Sequence, residues 1–121
     1  MDALPKLGQY LFAIPMAVFG VMHFMMADMM AGMVPIPGGV LWVYVTGVAL
    51  LAAAAAIVTG KQAANAVLGL AVFLLLTALT VHLPTVLGGD QAAMSQILKD
   101  VALAGGALIL YGTVRSSGAE A

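Results

Sequence analysis

The 121-residue chain contains no cysteine, which excludes disulfides, thiolate metal sites and Cys-X-X-Cys redox chemistry together. Charge is almost as scarce. Four Lys and Arg stand against five Asp and Glu, for a net charge of −1, so the chain offers no basic surface for nucleic acid. Its length accommodates one domain, residues 1–121, and no polar stretch is long enough to form a second, soluble one. With no thiols, any redox role has to rest on a bound cofactor or a partner protein.

What remains is overwhelmingly apolar: 64% hydrophobic residues and a mean hydropathy of +1.13, outside the usual range of soluble domains. The nine charges fall at Asp2, Lys6, Asp28, Lys61, Asp90, Lys99, Asp100, Arg115 and Glu120, between long uncharged runs. Leu7–Ala27, Val40–Gly60 and Ala66–Leu87 carry no charge over 21, 21 and 22 residues. Each run suffices to cross a hydrocarbon core of about 30 Å as a helix. A fourth run, Val101–Val114, reaches that length by taking in Ile97 and Leu98. The expectation is an all-α integral membrane four-helix bundle, with helices at about 7–30, 40–59, 66–87 and 97–115. The first run is too long for a secretory h-region and lacks a clear cleavage site, so it reads as a retained helix.

The punctuation between the runs gives finer expectations. Pro15 should kink helix 1, and Gly32–Gly39, with two prolines and three glycines, should form an apolar loop. Pro84 should interrupt helix 3, and Asp90 suits the N-cap of the next helical segment. Gln91–Leu98 fits either an interfacial helix or the outer turns of helix 4, and a small polar tail lies beyond Arg115. Lys6, Lys61 and Arg115 share one side against Lys99 on the other, which places both termini in the cytoplasm. Ala52–Ala56, Ala102/Gly106 and Gly105/Gly112 offer small surfaces for close helix packing.

Three features can carry chemistry. His23 and His82 lie at matched depth near the non-cytoplasmic ends of parallel helices, and ionisable groups at membrane depth usually face a bundle interior or cavity. They either share a polar pocket or each bond a backbone carbonyl or water. Seven of nine methionines fall between Met16 and Met33. These thioethers are either soft Cu(I) ligands around His23, with Met26 and Met30 foremost, or flexible apolar filler. Lys99 and Asp100 enter the start of helix 4. They either snorkel there, with Asp100 favoured by the helix dipole, or steady a headgroup or relay a proton.

The chain resembles the DoxX-like family of small four-helix membrane proteins over most of its length. The resemblance rests on Gly20-Val21-Met22-His23-Phe24, Met33-Val34-Pro35-Ile36-Pro37, Trp42-Val43-Tyr44-Val45-Thr46-Gly47-Val48 and Leu98-Lys99-Asp100-Val101-Ala102-Leu103, in that order. Family members often carry an acidic residue soon after the helix 2 glycine, where this chain has Val48-Ala49-Leu50-Leu51. The resemblance implies a bacterial inner-membrane protein whose relatives are linked to quinone reduction or to thiol and oxidative-stress complexes. It leaves three expectations. One is an oxidoreductase-associated subunit binding a quinone or similar carrier through His23, His82, Met26, Met30, Lys99 and Asp100, with a protein electron donor. The second is a haem b or Cu(I) site on His23, His82, Met26 and Met30. The third is an accessory bundle or homo-oligomer without chemistry of its own.

Overall fold

The computed structural model describes residues 3–32 and 37–116, and these are helical almost throughout, with no strand among them. The helices are α1 (Ala3–Met25), α2 (Ala27–Ala31), α3 (Gly39–Thr59), α4 (Ala63–Thr77), a π-turn (Ala78–His82), α5 (Leu83–Leu87) and α6 (Ala92–Ser116). Four stretches are long and apolar enough to cross a membrane: Ala3–Met25, Gly39–Thr59, Ala63–Leu87 and Ala92–Ser116. The expected loop falls largely on residues 33–36 and the polar tail on 117–121, which lie outside the described residues.

All four spans are apolar around most of their circumference, so hydrophobicity does not decide which face turns inward. Size does. The buried stripe is Gln9, Ala13, Met16 and Gly20 on α1, and Val43, Gly47, Leu50, Ala54 and Ile57 on α3. On α4 it is Ala63, Val67, Leu70 and Leu74, and on α6 Ala93, Asp100, Ala104, Ala107 and Val114. On the first three spans the steps alternate between three and four residues, and on α6 they keep the same seven-residue phase, as in knobs-into-holes packing. Larger side chains such as Leu11, Ile14, Val48, Leu76 and Ile109 point outward.

Helices adjacent in sequence pack along their length, in the order first to second, second to third and third to fourth span. The first and fourth spans meet mainly through large side chains: Phe12 beside Gly106, and Phe19 under Lys99. The first and second spans come closest. A Cβ added to Gly20 would lie 2.8 Å from Leu51 Cγ and 3.1 Å from the Gly47 carbonyl oxygen. One added to Gly47 would lie 2.7 Å from Phe24 Cε2 and 3.1 Å from the Gly20 carbonyl oxygen. This crossing, rather than Ala102 or Gly105, uses the absence of a side chain. Ala102 is exposed, and a Cβ on Gly105 or Gly112 would meet nothing within 4 Å.

The breaks have local causes. The first span continues as helix through Pro15 and is interrupted at Met26, whose φ of −118° and ψ of 30° depart from the helix. α3 ends at Gly60, whose φ of 80° suits glycine and lets its N–H reach the Ala56 carbonyl at 2.9 Å. Beside it the Gln9 amide donates to the Ile57 carbonyl at 2.8 Å, filling an acceptor that the helix end would otherwise leave bare. Pro84 does not end the third span. An α-helical path would drive its ring into the carbonyl one turn back. The chain instead widens into the π-turn, where the Leu83 N–H bonds the Ala78 carbonyl. The proline then falls in the first turn of α5, where a missing donor costs little. Asp90 does cap α6: its Oδ1 accepts the Ala92 N–H at 3.0 Å.

Candidate functional site

α6 begins at Ala92, so Gln91–Leu98 contributes its outer turns rather than a separate interfacial helix. Asp100 therefore stands eight residues (100 − 92) beyond the first helical residue. The dipole expectation fails on that count, because a helix N-terminus acts only over about its first turn. Asp100 is a core residue, 2% exposed, in the inward stripe between Ala93 and Ala107.

Its surroundings come from two neighbouring spans and its own. The π-turn ends at His82, whose Nε2 lies 3.3 Å from Asp100 Oδ2. Lys99 places Nζ 3.5 Å from Asp100 Oδ1, and the same ammonium donates to Gln96 Oε1 at 2.9 Å. It also lies 5.1 Å from the centroid of the Phe19 ring on the first span, within the range of a cation–π contact. Lys99 thus bridges the fourth span to the first, while His82 bridges the third to the fourth. Asp100 Oδ2 is buried and accepts no hydrogen bond among the described residues; the His82 contact is close but poorly aligned. The His82 ring is partly open to the outside, with 22% of the side chain exposed against 3% for Asp100.

The other sequence candidates are placed differently. The His23 Nδ1–H donates to the Phe19 carbonyl at 2.6 Å, one turn back on its own helix. No hydrogen bond or ion pair joins His23 to His82 among the described residues; the partner of His82 is Asp100. Met26 is the break residue itself, and its carbonyl accepts the Met30 N–H at 3.0 Å. Among the described residues no three His, Asp or Glu side chains converge as metal ligands do. An axial haem bond from His82 Nε2 would have to displace the Asp100 carboxylate.

Two outward concavities are almost wholly apolar. One of about 360 Å³ lies between the second and third spans, against Ala52, Ala66, Gly69 and Phe73. The other, about 620 Å³, lies between the first and second, against Ala17, Val21, Met22, Met25 and Ala55. Neither is lined by His23, His82, Lys99 or Asp100.

No family model, curated protein or solved structure matches this chain.

Proposed function

We propose that the chain is a small multi-pass protein of the bacterial inner membrane, both termini cytoplasmic, that binds a quinone or similar lipid-soluble carrier at the cluster of His82, Lys99 and Asp100. The buried Asp100 carries this reading. A carboxylate near the middle of a span costs about 2.5–3.5 kcal/mol relative to an apolar residue even on the lenient insertion scale. Here one occupies an inward core position and faces a second ionisable group on a neighbouring span. A quinone ring offers carbonyl acceptors suited to the half-exposed Lys99 ammonium and the His82 ring N–H, and its hydrocarbon tail can stay in lipid. The resemblance to the DoxX-like family supports the same class of ligand and a protein electron donor beside the chain. The orientation rests on Lys6, Lys61 and Arg115 sharing the end opposite Lys99.

The test is the quinone content of protein purified in a mild detergent, measured by solvent extraction and by the ultraviolet redox difference spectrum. A charge-assisted hydrogen bond is worth about 1.5–3 kcal/mol. His82→Ala or Lys99→Ala should therefore lower retained quinone about tenfold or more, with helicity preserved. Wild-type protein devoid of quinone, or unchanged content in both variants, removes the carrier from this cluster.

A further inference from the structure

Asp100 is 2% exposed, and its Oδ2 accepts no hydrogen bond among the described residues. Buried carboxylate oxygens serving a purely structural role are ordinarily filled by donors. The nearest polar atom is His82 Nε2 at 3.3 Å, on a ring that is 22% exposed. Lys99 engages the opposite oxygen, Oδ1. One face of the carboxyl is therefore held by a fixed cation, and the other is left open beside an imidazole that reaches the surface.

We propose that His82 and Asp100 form a proton-exchange site inside the bundle, with His82 the outward member and Asp100 Oδ2 the interior acceptor. The pair holds one exchangeable proton. On the imidazole it makes an imidazolium beside a carboxylate; on Oδ2 it makes a carboxylic acid that donates to the Nε2 lone pair. Uptake adds one proton from water and moves no electrons. Lys99 keeps the cluster neutral before uptake, so the loaded cluster carries a single positive charge.

The groups facing Asp100 are few. Among the described residues the ionisable ones are His82 from the π-turn and Lys99 from its own helix, and the first span reaches the cluster through the uncharged Phe19 ring, which lies against the Lys99 ammonium. His23 is engaged one turn away on the Phe19 carbonyl. Both side chains flanking Asp100 reach the surface, the His82 ring 22% and the Lys99 side chain 40% exposed, and of the two the imidazole is the group whose chemistry suits proton exchange near neutral pH.

The exchange uses the same cluster as the proposed carrier but does not require it, and its test is made without the carrier: infrared pH-difference spectra of purified, quinone-depleted protein. Wild type should show a protonated-carboxyl C=O band on acidification that downshifts in D₂O. Isosteric Asp100→Asn should abolish the band, and His82→Gln should move its midpoint by about one pH unit or more, as loss of an adjacent ionisable partner requires. Nitrogen NMR of the wild type alone should show the His82 ring changing state over the same pH interval. A band that survives Asp100→Asn, or a midpoint indifferent to His82→Gln, overturns the proposal. So does a wild type whose His82 signal is constant across the carboxyl transition, whether or not the variants fold.

Discussion

Gly20→Ala and Gly105→Ala are chemically the same change on two helices, and the structure assigns them opposite signs. Both glycines are helical, so replacement by alanine gains about 0.8–1 kcal/mol of helix propensity at either place. At Gly105 nothing lies within 4 Å of the new methyl, and that gain stands alone. At Gly20 the methyl meets Leu51 Cγ at 2.8 Å, the Gly47 carbonyl oxygen at 3.1 Å and the Leu51 nitrogen at 3.2 Å. Two of these three atoms are backbone, so no rotamer change relieves them and the first and second spans must move apart. Overpacking of this kind costs about 1–3 kcal/mol, which outweighs the propensity gain. The net expectation is that Gly20→Ala is destabilised by up to about 2 kcal/mol. Gly105→Ala should be stabilised by somewhat less than 1 kcal/mol. Reversible unfolding in mixed micelles, followed by circular dichroism, measures both. Gly20→Ala proving as stable as Gly105→Ala would refute the close crossing.

Two further outcomes rest on single hydrogen bonds. Gln9→Leu leaves the Ile57 carbonyl unfilled at the end of α3, and interhelical bonds in membranes are worth about 0.6–2 kcal/mol. It should lower stability by that amount in the same micelle titration, whereas Gln9→Glu held protonated at low pH should retain most of it. Asp90→Ala removes the acceptor of the Ala92 N–H and should cost about 1 kcal/mol. Amide hydrogen exchange should rise in the first turn of α6 only; a rise spread evenly along α6 would count against a local cap.

The first three spans were legible because charge is so sparse: Lys61 and Asp90 sit at turns, and the uncharged runs match those helices to within a few residues, whereas the fourth helix begins at Ala92, ahead of the expected 97, and takes Lys99 and Asp100 inside it. The internal breaks were not. Proline marks where a helix loses a donor, but not how neighbouring turns absorb the loss. Pro15 lies inside α1, and Pro84 is accommodated by a π-turn upstream. Met26, which does break the first span, carries no local signal of its own. The inward faces were hidden for a related reason. In a chain apolar on every side, close approach is set by residue size rather than polarity, and Ala52–Ala56 divides between buried Ala53 and Ala54 and exposed Ala52 and Ala55.

For the site, matched depth along parallel helices points to His23 and His82, but the first and third spans are not packing neighbours, and His82 meets the fourth span instead. The informative signal was on the fourth. Ala93, Asp100, Ala107 and Val114 recur at intervals of seven, and all four are buried. A charged residue in phase with small apolar ones is committed to the interior by register, whatever its distance from the helix end. Counting across the Gly88–Gln91 turn then selects its partner, because antiparallel neighbours joined there bring residues a few turns before Leu87 level with residues a few turns after Ala92. His82 is the ionisable residue in that interval of the third span. Asp100 and His82 could thus have been paired from sequence by combining heptad phase with distance from the turn. The burial of Asp100 is a property of its phase, which is why moving the charge one residue along the helix should expose it. Lys99, one position earlier, is half-exposed and reaches sideways to Phe19, while Asp100 points into the core.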